Sequence, residues 1–123
     1  MFTYQQRTGN LTRNGVPLAV GYSGNGAALN NPDMQNVRMH GPVPQGMYTI
    51  QPPSVHPQLG PIAMELLPFS TNTMFLRSGF FIHGDNQQMN HTASDGCIIM
   101  GHDVRVQIAQ AVLAGDNQLE CIA

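Results

Sequence analysis

The sequence predicts a mostly β fold, built as one domain over residues 1–123. Its 13 Gly and 9 Pro residues interrupt short apolar runs, as expected where tight turns join strands. Hydrophobic residues make up 41% of the chain, so one core can form although charged residues are only 10%. Only one segment has helical periodicity. We therefore expect a compact β-sandwich or barrel with a single helix.

In the first half of the chain, turn signals separate short strands. Asn14-Gly15 is a strong hairpin signal because both residues tolerate positive φ. Gly, Asn and Pro are frequent over residues 23–33 and indicate a loop, and the stretch 41–46 indicates a rigid turn. The predicted strands are Phe2–Gln5, Leu11–Thr12, Val16–Tyr22 and Met47–Gln51.

The second half begins with a proline-rich connection over residues 52–61. Residues 84–96 are polar and without periodicity, which is typical of a loop around a site. The predicted strands are Ile62–Leu67, Thr73–Arg77, Phe80–His83, Cys97–Met100 and Leu119–Ile122.

The one predicted helix follows the Cys97–Met100 strand. Apolar residues recur every three or four positions at Val104, Ile108 and Ala111. We expect Asp103 to cap its start and Gly115 to end it.

Charge and hydropathy exclude several classes of function. A net charge of −2 with only five Lys and Arg residues provides no basic stripe for a phosphate backbone, so we expect no nucleic-acid partner. No apolar run approaches the ~20 residues that span a bilayer. The opening MFTYQQRTGNLTRNG is polar and lacks the layout of a signal peptide, so we expect synthesis in the cytoplasm without one.

A histidine and a cysteine leave the predicted sheet where loops begin. His83 ends the strand Phe80–His83, and Cys97 opens the next strand after the polar loop. A thiol is mostly protonated at neutral pH, and a nearby imidazole activates it by accepting its proton. Gly96 would let the backbone approach a substrate, and nearby amides could bind an oxyanion. This pattern favours nucleophilic catalysis by Cys97.

Alternative interpretations remain open for the same residues. Cys97 could pack in the core or form a disulfide with Cys121, whose apolar surroundings indicate packing. His91, six residues before Cys97, could replace His83 as the base. A metal site could use His83, Asp85, His91 and Cys97, although their spacing matches no zinc motif.

Two segments carry a family resemblance. Ile82-His83-Gly84 followed by Ser94-Asp95-Gly96-Cys97 resembles the L,D-transpeptidase catalytic motif. Residues 41–50, GPVPQGMYTI, resemble that family's Pro-x-Gly-x-Tyr-x-Ile stretch. Together with residues 23–26 and 30–32, they resemble more closely the compact type VI secretion L,D-transpeptidase effector family. The resemblance covers most of the chain and implies an L,D-transpeptidase-like β-sandwich or barrel.

The resemblance also implies roles for individual residues. Cys97 matches the nucleophile and His83 the catalytic histidine. A backbone carbonyl at Gly84 would orient the imidazole, and Ser94 and Gly96 would shape the nucleophile loop.

Two positions depart from the wider family. Asp95 stands where relatives carry His, and we expect it to face solvent or to accept hydrogen bonds. Ile99 stands where they carry Arg or Asn, so a cation that could hold a substrate carboxylate is missing. Arg77 is a possible replacement. Asp85 could bind a substrate amine or only form the turn after His83.

The resemblance implies an enzyme that modifies peptidoglycan tetrapeptide stems without a cofactor. Cys97 would form a thioester, and the outcome would be L,D-carboxypeptidase activity, exchange or cross-linking. Effector relatives imply delivery by a secretion apparatus into the periplasm of target bacteria, and a cognate immunity protein in the producing cell. The alternatives are a non-catalytic cell-wall-binding module, an inert structural domain and a zinc-dependent cell-wall peptidase.

Overall fold

The computed structural model describes all residues from Met1 to Ala123. Strands hold 34% of the residues and helices 15%, which confirms the mostly β prediction. Two short 3₁₀ turns, Gly26–Ala28 and Pro32–Met34, lie in the predicted loop after residue 23. The strands are β1 (Phe2–Gln5), β2 (Asn10–Arg13), β3 (Val16–Val20), β4 (Tyr22–Ser23), β5 (Gly46–Ile50), β6 (Ser54–His56), β7 (Gly60–Pro68), β8 (Phe81–His83), β9 (Ile98–Ile99) and β10 (Gln118–Ile122).

The strands form one sheet in the order β3-β2-β1-β10-β5-β7-β8-β9-β4, with β6 paired to β7. The two ends of this order, β3 and β4, are consecutive in the chain and separated only by Gly21. The sheet therefore curls into a nearly closed barrel. Most pairs are antiparallel, but β1 with β10 and β8 with β9 are parallel. The parallel pair β8–β9 carries the predicted His and Cys segments side by side.

The core fills the inside of this curved sheet. Tyr4, Tyr48 and Ile82 are among its fully buried side chains, and alternate residues of β1 and β10 point into it. Cys121 belongs to the same cluster, so its predicted packing role is confirmed. Both cysteines are free thiols, and the alternative of a disulfide between Cys97 and Cys121 is wrong.

The single helix, α1 (His102–Leu113), follows β9 as predicted. It packs on the core through Val104, Ile108 and Val112. Gly115 has a φ of 101° and its N–H donates to Val112, which ends the helix as predicted. The predicted cap is wrong: Gly101 is the N-cap, and Asp103 lies inside the first turn. No helix is both long and apolar enough to cross a bilayer.

Several sequence-based strand assignments differ from the structure. The predicted strand Val16–Tyr22 is divided at Gly21, and the predicted strand Cys97–Met100 contains only Ile98–Ile99. Residues 73–77 are not a strand, because Phe75 and Leu76 adopt left-handed φ values of 57° and 59° and turn the chain. The proline-rich connection contains β6, which forms a hairpin with β7. Apolar, β-prone residues at 73–77 therefore line a turn beside the site.

Candidate active site

Cys97 immediately precedes β9, beside the start of β8. The register pairs Ile82 with Ile98 and His83 with Ile99, so Phe81 lies opposite Cys97. The Phe81 N–H donates to Cys97 Sγ at 3.3 Å, and Sγ also lies 3.9 Å from the Gly79 carbonyl oxygen. The thiol is partly buried and sits at a fixed place on the strand edge.

His83 is buried at the end of β8, and Gly84 holds its ring. The Nδ1 atom lies 2.8 Å from the Gly84 carbonyl oxygen. Because a carbonyl oxygen only accepts hydrogen bonds, Nδ1 carries the proton in this contact, and a neutral ring keeps Nε2 as an acceptor.

Cys97 and His83 lie on adjacent segments of the parallel β8–β9 pair. His83 is the last residue of β8, and Cys97 immediately precedes β9, where its Sγ accepts from the Phe81 N–H at the start of β8. The two residues are thus about two positions apart along the pair. No hydrogen bond joins Sγ to the imidazole, and the two side chains line separate cavities.

Burial keeps both groups neutral at pH 7. It raises the pKa of the Cys97 thiol to about 11; the Asp95 carboxylate adds to this rise, and the Phe81 N–H and Arg77 oppose it. Burial also lowers the pKa of His83, and the nearby Arg105 acts in the same direction. At rest the site therefore holds a thiol and a neutral imidazole, not an ion pair.

Ser94 organises the nucleophile loop from inside the protein. It is fully buried, and its hydroxyl donates to the Cys97 carbonyl at 2.6 Å. The N–H groups of Gly24 and Gly96 donate to Ser94 Oγ. The Gly96 amide is thus already used, whereas the Cys97 N–H donates to no group of the chain. Of the two amides that the sequence offered for an oxyanion, the Cys97 amide is the one left free.

Gly96 is required by the packing of this loop. Its φ is 137°, and a Cβ there would lie 2.5 Å from Arg77 Nη2 and 2.7 Å from Phe80 Cε1. The residue before the nucleophile therefore has no room for a side chain.

Arg77 is buried, with only 7% of its surface exposed. Its Nη1 donates to the carbonyls of Gln35 and Pro42, and its Nη2 to those of Gly41 and Asp95. The suggested role in holding a substrate carboxylate would need Nη hydrogens that these carbonyls already occupy. Through these hydrogen bonds Arg77 instead links the 35–42 segment to the nucleophile loop.

Asp85 and His91 lie on the Tyr22 side of the site. Asp85 accepts from the Tyr22 hydroxyl at 2.6 Å and from the Asn86 N–H at 2.9 Å, which fits its turn-forming alternative. His91 is exposed and stacks edge-to-face on Tyr22 at 4.8 Å. It lines a cavity that does not include Cys97, as is also true of His83, so the cavities do not distinguish the two histidines.

Sequence reasoning missed Arg38 at this site. Arg38 is exposed and lines the cavity of about 200 Å³ that contains Cys97, together with Asp95 and Leu76. It lies 59 positions from Cys97, and no motif joins the two segments. The sequence offered one signal: Arg38 is one of only five Lys and Arg residues, so it was a candidate for binding an anionic group of a substrate.

No group of three or more His, Cys, Asp or Glu side chains is close enough to hold a metal ion. The four potential ligands of the metal alternative, including His83 and Cys97, are thus not gathered into one site.

Comparisons with known proteins bear on the fold and on the family. A solved structure, Bdellovibrio bacteriovorus Bd1075, superposes with a TM-score of 0.59 at 17% identity and shares the fold. The alignment covers 98% of this chain but only 46% of that one. No curated protein sequence matches the chain.

A family model described as the Tlde1 domain matches residues 18–121. The match covers well over half of the chain and includes the His83 segment, the nucleophile loop and the residue 41–50 turn. The chain therefore belongs to the Tlde1 domain family, the type VI secretion L,D-transpeptidase effector 1 family.

Proposed function

We propose that this protein is a cysteine-dependent enzyme that trims or exchanges the end of peptidoglycan tetrapeptide stems. The observation that supports the proposal is that Cys97 and His83 lie on adjacent segments of the parallel β8–β9 pair, with the Gly84 carbonyl fixing the imidazole tautomer. Membership of the Tlde1 family supports peptidoglycan as the substrate.

The first half-reaction is acyl transfer to sulfur. Cys97 Sγ attacks the carbonyl at the L-centre of the stem's diamino acid, and His83 Nε2 takes the thiol proton. The S–C bond forms as the C–N bond to D-alanine breaks, and His83 returns the proton to the departing amine. Since burial favours the neutral form of both groups, the thiol proton must pass to His83 before or during the attack.

The second half-reaction frees the enzyme. Water attacks the thioester and gives L,D-carboxypeptidase activity, whereas the amine of a free D-amino acid gives exchange. In both cases the S–C bond breaks and sulfur regains its proton through His83. The Cys97 N–H stabilises the oxyanion in each tetrahedral intermediate.

The enzyme assignment is tested by D-alanine release from purified tetrapeptide stems. Cys97→Ala should abolish release and keep the circular-dichroism spectrum of the parent. His83→Ala should lower kcat by about 10²–10⁴-fold, as expected for loss of a general base. His91→Ala is the matched control and should stay within about twofold of the parent. An active Cys97→Ala variant would contradict the nucleophile, and the reverse ranking of the histidines would move the base to His91.

The same family supports delivery to the periplasm of target bacteria and a cognate immunity protein in the producer. If so, expression with an added periplasmic leader should stop growth, whereas cytoplasmic expression or leader-bearing Cys97→Ala should not. Equal toxicity in both compartments would contradict a cell-wall target.

A further inference from the structure

Two unpaired opposite charges flank the cavity of Cys97. Arg38 and Asp95 are both exposed, and both line this cavity of about 200 Å³. The protein's ion pairs involve other residues, so neither charge is neutralised by a partner. The Asp95 carboxylate accepts only a long hydrogen bond of 3.5 Å, from Asn25 Nδ2. A guanidinium and a carboxylate without ionic partners thus line the same small cavity as the thiol.

The scaffold fixes the positions of the two walls that carry these charges. Asn25 Nδ2 donates to the Met39 carbonyl at 2.9 Å and to the Ser94 carbonyl at 2.8 Å, so it links the segments that contain Arg38 and Asp95. Arg77 Nη2 makes a second link, from the Gly41 carbonyl to the Asp95 carbonyl. These bonds restrain the two main-chain segments, and Arg38 and Asp95 form no ion pair across the cavity.

This arrangement suits a ligand that carries both charges. A guanidinium binds a carboxylate through paired N–H donors, and a carboxylate accepts from an ammonium group. Arg77 lies in the same cavity, but its Nη hydrogens already go to main-chain carbonyls. Arg38 is thus the cation that remains available to a substrate there.

We propose that Arg38 and Asp95 form a subsite for a zwitterionic α-amino acid group, with the carboxylate bound by Arg38 and the ammonium by Asp95. The proposal rests on the proposed peptidoglycan activity. Two participants in that reaction carry this group: the unlinked centre of the stem's diamino acid, and a free D-amino acid that acts as acceptor.

The subsite also accounts for an aspartate beside a nucleophilic thiol. The Asp95 carboxylate opposes ionisation of Cys97. An ammonium group bound to Asp95 would cancel much of this effect at the moment when the substrate is in place. Asp95 would then oppose ionisation of the Cys97 thiol only in the enzyme without substrate.

The test uses the full chain and three tetrapeptide stems. The first has the unmodified diamino acid, the second has its free carboxylate amidated, and the third has lysine, which keeps only the ammonium group. Arg38→Gln should raise KM about tenfold on the first stem and leave KM unchanged on the other two. Asp95→Asn should raise KM on all three. Arg7→Gln and Asp33→Asn, which change exposed residues that do not line the Cys97 cavity, are the matched controls.

Separate KM values for the stem and for the acceptor distinguish the two sources of the zwitterionic group. If the group belongs to the acceptor, Arg38→Gln should raise the KM for a free D-amino acid in exchange about tenfold and leave the KM for the stem unchanged. Unchanged KM for both stem and acceptor would overturn the subsite, as would an equal rise on all three stems.

Binding to the inactive enzyme distinguishes this inference from the function on which it rests. Intact stems and free D-amino acids are titrated calorimetrically into Cys97→Ala and into Cys97→Ala combined with Arg38→Gln. The second change should weaken Kd about tenfold for the zwitterionic ligand, whether or not the parent releases D-alanine. If the two proteins had equal Kd values for every ligand, the subsite would be wrong. If Kd differed tenfold but the parent released no D-alanine, only the proposed reaction would be wrong.

Discussion

Arg77 and Asp95 are joined by a hydrogen bond of 3.2 Å from Nη2 of Arg77 to the main-chain carbonyl oxygen of Asp95. Through this bond and those to Gly41 and Pro42, one buried guanidinium connects the nucleophile loop to a turn more than fifty residues earlier. The position of Cys97 therefore depends on a residue that need not touch the substrate.

Arg77→Met should destabilise the fold, because it leaves buried carbonyl oxygens without donors. We expect a loss on the order of 3 kcal/mol in the free energy of unfolding, measured by urea denaturation. Arg77→Lys should recover only part of this, since one ammonium cannot replace a planar fork of donors. The exposed Arg7→Met is the control and should unfold like the parent. An unchanged urea midpoint with a raised KM would instead favour the substrate-binding role for Arg77.

Gly96→Ala should damage the nucleophile loop. The added Cβ would meet Arg77 and Phe80, and a φ of 137° is unfavourable for alanine. The free energy of unfolding should fall by about 2 kcal/mol, with loss of D-alanine release. Gly60→Ala is the matched control because Gly60 also has a positive φ, 83°, but no atom lies within 4 Å of its Cβ position. Equal stability of the two variants would show that the loop can move aside.

The reactivity of Cys97 should keep increasing far into the alkaline range. With burial raising its pKa to about 11, only roughly one thiol in ten thousand is ionised at pH 7. Iodoacetamide labelling followed by mass spectrometry should therefore show a Cys97 rate that still rises between pH 9 and pH 10. Cys121 should stay slower throughout, since it is buried in the core. A Cys97 rate that levels off below pH 8 would indicate a resting thiolate.

Local signals predicted most of the sheet and the helix. Asn14 and Gly15 adopt the positive φ values that a tight hairpin between β2 and β3 needs. In α1, Val104 and Ile108 face the core as their spacing required. Such features depend on neighbours in sequence, and sequence alone can therefore report them.

Features that depend on tertiary contact were harder to predict. The segment 73–77 has strand-like residues, yet Leu76 is 97% exposed in a left-handed turn beside the Cys97 cavity. The bonds made by Arg77 and the presence of Arg38 at the rim arise because the 35–42 segment folds against the nucleophile loop. Nothing in the sequence near Cys97 indicates that neighbour.

The parallel pairing of β1 with β10 has a consequence for how the chain folds. Phe2 pairs with Leu119, so more than a hundred residues after β1 must be synthesised before this strand gains its second neighbour. Contacts between such distant residues slow folding, because a long loop must close first. Until then β1 and β5 expose unpaired backbone, and the nascent protein is most open to aggregation or proteolysis in that interval.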